Sequence, residues 1–423
     1  MKDRYGNPLS TNSQKARDAY VLGLDRFLGA EAGVEAPLLM ATQEDEGFAL
    51  PHVVLARYRQ LIGDQIGARQ SLTDAQQCDR PLTDRERRQI EIVSLLIDGR
   101  SAAGYVAARR QLQDYPRDVL VAQACLGVLS LIGFSGQPGR EAENLALAEI
   151  LEPHYGDDWW LQGLLGFAQV EVGQLDRAEK SIEKSLTSNP RNAHGAHFRS
   201  HLYYEAGQSE AGYAFITDWQ SSYEKEGQMH CHIAWHIALW ALARGDTDEM
   251  WRIVDRDIDP RGAWGPPLNV MVDLAAVLYR AELSGVEVPQ ARWQVVCDYA
   301  AEYFPNPGLG FADVHAALAY AMAGRSKALE RIVTDAKGPA ADIVRYLAEA
   351  FGAIAAQDWP KANDFLTKAL WDHARLGGSR AQRDLIEYAS VSVLLRLGRH
   401  DEACRQLAMH RPKAVIGNAV MGI

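Results

Sequence analysis

The sequence predicts an all-α chain of stacked helical hairpins, an α-solenoid curved around a concave pocket. Three observations lead there. A turn glycine recurs at Gly173, Gly207 and Gly245, at intervals of 34 and 38 residues. Weaker turns fall at Gly63, Gly99, Gly324, Gln357 and Gly398, with Gly63 to Gly99 spanning 36, Gly324 to Gln357 33 and Gln357 to Gly398 41. The chain has 423 residues, 47% hydrophobic and 23% charged, so it is globular in composition yet longer than one ordinary core. A solenoid escapes that limit, because each repeat buries its apolar face on a neighbour.

The elements follow in order. Asn12 or Ser13 caps an opening helix that carries Ala16, Tyr20, Leu22, Leu24 and Phe27. Gly133 to Gly139 holds three glycines with no lysine-serine or lysine-threonine ending, so it reads as a loop and not a phosphate cradle. From Asp157 to Pro190 the residues Leu165, Gly166, Gly173, Leu175, Ala178, Ile182, Leu186 and Pro190 resemble the tetratricopeptide consensus. Gly166 and Ala178 are small where two helices cross, Gly173 ends the first helix, and Pro190 stops the second. Pro260 to Leu268 and Phe304 to Gly310 are rich in proline and glycine and read as loops. Such loops can fold over the concave face and close it. The tail from Val415 to Ile423 is apolar and is expected to dock against the last hairpin. The whole reads as one domain, 1–423, with its clearest repeats at 157–256 and less regular ones at 13–150 and 266–412.

The net charge is −11 and no basic stripe is present, which predicts no nucleic-acid partner. Five widely spaced cysteines with no Cys-x-x-Cys pair predict reduced thiols and a cytoplasmic protein. The first fifteen residues lack the apolar core of a signal peptide, and no uninterrupted apolar stretch approaches ~18 residues, so no membrane partner is expected. A homo-oligomer remains open.

Histidine placement carries the functional reading. Six of the twelve histidines lie between positions 194 and 236. His194, His197 and His201 fall at i, i+3 and i+7, on one face of a predicted first helix. His232 and His236 fall at i and i+4 on the first helix of the next repeat, with His232 and Trp235 toward the groove and His236 nearer the helix boundary. First helices line the concave side of such arrays and pack ~8–10 Å apart, within reach of facing imidazoles. Imidazoles in that number suit a transition metal or acid–base chemistry. No His-Glu-x-x-His motif is present. Hydrogen-bonded packing between helices accounts for the same pattern in a plainer way. Asp313 and His315 open another helix, where Asp313 serves equally as a helix-end residue. Gly377 to Asp384 is a glycine-led polar run whose amides and arginines suit an anion, or simply a loop and helix cap. Asp273 is a lone aspartate in an apolar helix, paired if buried. Trp159, Trp160 and Trp240 read as core or groove wall.

Several of these pieces also resemble the tetratricopeptide repeat protein 38 family. They are His197 to His201 before Gly207; His232-Ile233-Ala234-Trp235-His236; Val272-Asp273-Leu274-Ala275-Ala276 with Tyr279-Arg280; Phe311-Ala312-Asp313-Val314-His315; and Gly377-Gly378-Ser379 with Ala381-Gln382-Arg383-Asp384. The resemblance spans most of the chain and is strongest from Asn189 to Asp384. It implies an α-solenoid with polar residues gathered toward one pocket, without a settled activity.

Two functions stand side by side. In the first, the groove binds a small molecule or peptide, with His194, Trp235, Asp313, His315, Gln382 and Arg383 at the ligand. In the second, the chain is an enzyme in which His197, His201, His232 and His236 act as acid–base groups or hold a transition metal. Arg383 would then orient an anionic substrate and Asp313 a histidine.

Overall fold

The computed structural model describes residues 1–413 and 419–423. Among them are twenty-two α-helices and no strand. The first third holds α1 (Gln14–Leu28), α2 (Glu35–Glu44), α3 (Ala49–Leu61), α4 (Gln65–Gln77), α5 (Asp84–Ile97), α6 (Ser101–Asp114) and α7 (Val119–Cys125). An irregular stretch then leads to α8 (Arg140–Tyr155), α9 (Trp159–Glu171), α10 (Leu175–Ser188), α11 (Ala193–Ala206) and α12 (Ser209–Gln220). The middle continues with α13 (His230–Ala243), α14 (Thr247–Ile253), α15 (Pro267–Leu283), α16 (Gln290–Tyr303), α17 (Gly310–Met322) and α18 (Ser326–Asp335). The chain ends on α19 (Ala341–Ala355), α20 (Trp359–Leu370), α21 (Arg380–Arg396) and α22 (His400–His410). A π-turn, Val254–Ile258, extends α14, and a 3-10 turn, His373–Leu376, precedes α21. Antiparallel hairpins such as α3–α4, α9–α10 and α19–α20 are the packing units, and successive hairpins stack. This is the α-solenoid the sequence predicts.

The predicted turns form for the predicted reason. All seven turn glycines have positive φ, +80° at Gly173 and +72° at Gly207, and Gln357 adopts +58° in the same role. At Gly166 an added Cβ would sit 2.6 Å from Ile182 Cγ1 and 3.2 Å from the Ala178 carbonyl oxygen, so the α9–α10 crossing requires a residue without a side chain. Ser13, not Asn12, caps α1, accepting a hydrogen bond from the Ala16 amide. Of the apolar residues that α1 carries, Leu22 lies on its exposed side. Pro267 and Leu268 belong to the first turn of α15 and not to the preceding loop, because proline suits that position.

The array does not stay open. Arg140 donates to the carbonyl oxygens of Ala374 and Gly378, at 2.5 and 2.7 Å, and Arg383 pairs with Glu141. Arg375 reaches the Gly136 carbonyl at 3.1 Å. These contacts join positions more than 230 residues apart. At the other side, the Ala193 amide donates to Gly29 and the Tyr223 hydroxyl to Ala30. Helix α21 also touches both α11 and α15. Of the tail, Met421 donates its amide to the Leu283 carbonyl at 2.8 Å and Val420 is buried. The tail therefore docks on the end of α15 as well as near α21, where Gly422 lies beside Leu395. Residues 415–418 of the tail expectation lie outside the described residues.

Candidate metal centre and cavity

Helices α11 and α13 are first helices of consecutive hairpins, and their facing sides carry the histidines. His197 and His201 lie one turn apart on α11, with their Nε2 atoms 2.8 Å from each other. The His197 ring lies 4.7 Å from the His232 ring and 5.0 Å from the His236 ring, and His201 lies 4.7 Å from His236. One nitrogen from each of the four falls within 4.8 Å of the corresponding nitrogens of the others. All four side chains are buried. His236 thus sits inside the group, closer to its partners than a boundary position would allow.

The surroundings fix the rings. Phe167 of α9 sits 5.1 Å from His201 and stacks on Phe198 at 4.5 Å, closing one side. Trp235 stacks on His232 at 5.2 Å and lies beneath the imidazoles, 1% exposed, and not on the wall of the cavity described below. On α15, Asp273 is buried and both its carboxylate oxygens stand 2.9 Å from His232 Nδ1. That bond leaves His232 Nε2 as the free lone pair. His197 Nδ1, His201 Nδ1 and His236 Nε2 are buried with no hydrogen-bond partner.

Burial sets the charge state. His197, His201 and His236 are all pushed well below the usual imidazole range, first by burial. For His197 and His236 the neighbouring imidazoles add to this, and for His201 His232 and Arg411 do. His194 is pushed down to about 4 by burial and by His232. Burial raises the Asp273 carboxyl and the adjacent His232 opposes this. Neutral imidazoles are acceptors and metal donors, and they are poor places for extra positive charge without a ligand to hold it.

His194, His197 and His232 also line a cavity of about 1160 Å³. Its wall includes residues from α3, from the irregular stretch after α7, from α15 and from the loop after α16. Gln382, which caps α21 through Ser379, reaches it too. His201 and His236 stand behind that wall. The sequence reading took the Gly133 to Gly139 stretch as a loop; Phe134, Ser135 and Gln137 from it face the cavity.

Besides Trp235, three expected site residues lie off the cavity wall. Asp313 accepts the Gly308 amide at 2.9 Å, and His315 Nδ1 faces the Phe311 carbonyl at 2.7 Å. The carboxylate that holds a histidine of the group of four is Asp273. Arg383 is neutralised by Glu141 and bonds Gly378, away from the cavity wall. The anion at the α21 N-terminus is internal: the Arg380 amide donates to Glu171 at 2.9 Å. Burial raises Glu171 to about 7. Sequence reasoning passed over Glu171, and also over Arg57, a charge within the apolar run of α3 that was its only signal.

No protein-family model matches the chain. Similar solved structures include the human IFIT1 dimer with m7Gppp-AAAA, at 12% identity over 97% of each chain and a TM-score of 0.47. A tetratricopeptide repeat protein from Parabacteroides merdae is 13% identical over 72% of this chain and 98% of that one, with a TM-score of 0.33. Yeast Tom70 is 11% identical over 95% of this chain and 86% of that one, with a TM-score of 0.34. The expectation of no nucleic-acid partner, drawn from the missing basic stripe, is withdrawn: the IFIT1 structure is one with m7Gppp-AAAA. The physical reason is that a stripe marks binding on an outer surface, whereas the cations of an interior site can come from positions scattered along the sequence. No helix among the described residues is long and apolar enough to cross a membrane.

Proposed function

We propose that this tetratricopeptide-type protein binds a small organic molecule in its large cavity, and that His197, His201, His232 and His236 hold a late first-row divalent metal ion against that cavity. The observation that carries the reading is the convergence of four buried imidazoles, three of them with an unpartnered ring nitrogen. An unsatisfied buried polar atom costs about 1–3 kcal/mol. Three of them would cost a large part of the ~5–15 kcal/mol that holds a typical domain together. A metal ion held through those orphaned nitrogens removes that cost by taking their lone pairs. At a metal–nitrogen distance of ~2.0–2.1 Å, tetrahedral donors stand about 3.3 Å apart, so small ring rotations bring the four nitrogens to it.

The remaining features support the same reading. Asp273 behind His232 is the carboxylate–histidine pairing that orients metal ligands and raises their basicity. Neutral nitrogen donors suit zinc, copper, nickel or iron in preference to magnesium or calcium. The contacts between 136–141 and 374–383 favour a closed chamber for a small molecule over a long open groove for a peptide. Asn192 and Asn269 place polar side chains on the wall beside such a molecule. The chemistry an ion would supply there is Lewis-acid polarisation of an oxygen on the bound molecule. Membership of the tetratricopeptide repeat protein 38 family belongs to the same reading and is supported by the shared sequence pieces.

The test is elemental analysis of protein purified without a histidine tag, for the native chain and for His201→Ala and His236→Ala. Near one equivalent of zinc, iron, copper or nickel in the native chain, lost in both variants, is the expected result. A well-folded native chain that takes up none of these ions on addition overturns the metal centre.

A further inference from the structure

From the wall of the large cavity we infer its ligand class: an amphipathic organic monoanion whose carboxylate is bound by Arg57. The inference rests on the proposal that this cavity holds a small molecule, and it deepens it.

Arg57 lies on α3, 7% exposed, and lines the cavity. Its Nη1 donates to Gln60 Oε1 at 2.7 Å and its Nε to Gln123 Oε1 at 3.4 Å. Both partners are neutral amides. Among the described residues Arg57 has no carboxylate partner, and its guanidinium is pushed down to about 10 by burial, opposed only by the nearby Cys125 thiol. Of the other buried arginines, Arg280 also forms no ion pair but lies over the Tyr388 ring at 4.5 Å and away from this cavity, Arg140 faces Glu141 at 3.5 Å, and the remaining three are paired. Arg85 faces Asp118, Arg383 faces Glu141, and Arg411 faces Asp384 and Glu205. A buried guanidinium without a counter-charge is costly unless a ligand supplies one.

The rest of the wall defines the molecule attached to that charge. Apart from the histidines, the charged residues lining the cavity are Arg57 and Glu302, and Glu302 is exposed at the rim. The inner wall is largely apolar, with Leu61, Leu96, Leu126, Leu131, Phe134 and Leu164 among its residues. An apolar body therefore fits, carrying one negative charge. The fork of one guanidinium matches a carboxylate, with two amides already fixing its plane. A phosphate monoester, near two negative charges, calls for more than one cation, and the wall offers one.

The experiment is displacement of the neutral dye Nile red from the full-length protein by decanoate, decanol and decyl phosphate. Decanoate is expected to displace the dye at about tenfold lower concentration than decanol, the worth of one charge-assisted hydrogen-bonded contact. Arg57→Gln is expected to remove that preference while leaving decanol unchanged, and Arg57→Lys to keep part of it. Equal displacement by decanoate and decanol from the native chain overturns the inference without reference to any variant, as does a stable Arg57→Gln that keeps the preference. Tighter displacement by decyl phosphate than by decanoate overturns the carboxylate assignment. Metal content measured on the same samples separates the two ideas: a metal-loaded protein with no carboxylate preference ends this inference alone, and a carboxylate preference in a metal-free protein supports it while the metal reading fails.

Discussion

Asp273 on α15 holds His232 on α13 through both carboxylate oxygens, each 2.9 Å from Nδ1. The pair is buried, so the bond fixes both the tautomer and the ring plane of His232. Removing the charge while keeping the shape should show in metal affinity. Asp273→Asn is expected to weaken binding ~10–100-fold, as loss of a carboxylate behind a histidine ligand does elsewhere. Competition against a chelator of known affinity measures it. Unchanged affinity would mean that His232 is not a ligand.

The metal-free protein should lose stability on acidification. His194 and His315 are pushed down to about 4, and His197, His201 and His236 well below the usual range, all first by burial. In the unfolded chain these groups take up protons near pH 6.5. Between about 6.5 and 4 the unfolded state therefore binds protons that the native state refuses, and stability falls as pH falls. Asp313, raised to about 6, Glu171, raised to about 7, and Asp273, also raised, act with the opposite sign. They lose stability as pH rises, because the native state keeps protons that the unfolded chain releases. His52, His230 and His373 are lowered as well, and Asp25, Glu31, Asp118 and Glu282 raised; the three imidazoles pushed well below their usual range leave the histidines dominant. Thermal unfolding of chelator-treated protein is expected at a lower temperature at pH 5 than at pH 7; a flat or reversed profile contradicts the neutral imidazole layer.

Two glycine substitutions should cost stability for different reasons. Gly166→Ala drives a Cβ to 2.6 Å from Ile182, inside the α9–α10 contact, and is expected to destabilise by ~1–3 kcal/mol. Gly173→Ala meets nothing within 4 Å, yet its φ is +80°. Its cost is the left-handed backbone alone, ~1–2 kcal/mol. Denaturant titrations of the two variants and of the double mutant compare the costs.

Arg411 ties the end of the chain to the interior. It pairs with Asp384 of α21 and with Glu205 of α11, 2.8 Å away, and Tyr204 donates to Asp384 at 2.6 Å. Arg411→Ala leaves the buried Asp384 with no ion-pair partner and Glu205 with Arg380 alone, 3.3 Å away. A loss of about 3–5 kcal/mol is expected. Thermal unfolding combined with limited proteolysis of the C-terminal residues checks it: early cleavage after the substitution, with the native chain resistant, is the expected pattern.

How much was legible beforehand follows from the range of each interaction. The turns were legible because a left-handed residue between two helices is a local demand. The sequence carries it as glycine at seven positions, and Gln357 kept the period even without one. The caps of α1 and α21 and the small residue at Gly166 are local in the same sense. The histidine faces were legible as faces, because positions i, i+3, i+4 and i+7 share a side of any α-helix. The loops were less so: Pro267 and Leu268 looked like loop and became the first turn of α15, since proline suits both.

By itself, then, the sequence determined an all-α array of hairpins and the helix faces on which the imidazoles stand. Tertiary structure alone decided that His197, His201, His232 and His236 converge, that Asp273 and not Asp313 is the supporting carboxylate, that Arg383 is neutralised by Glu141, and that Arg57 faces the cavity without an acid. The physical reason is that curvature in a solenoid accumulates from small rotations between successive repeats. Those rotations arise from side-chain packing at each interface, so no period in the sequence encodes that residues 136–141 meet residues 374–383.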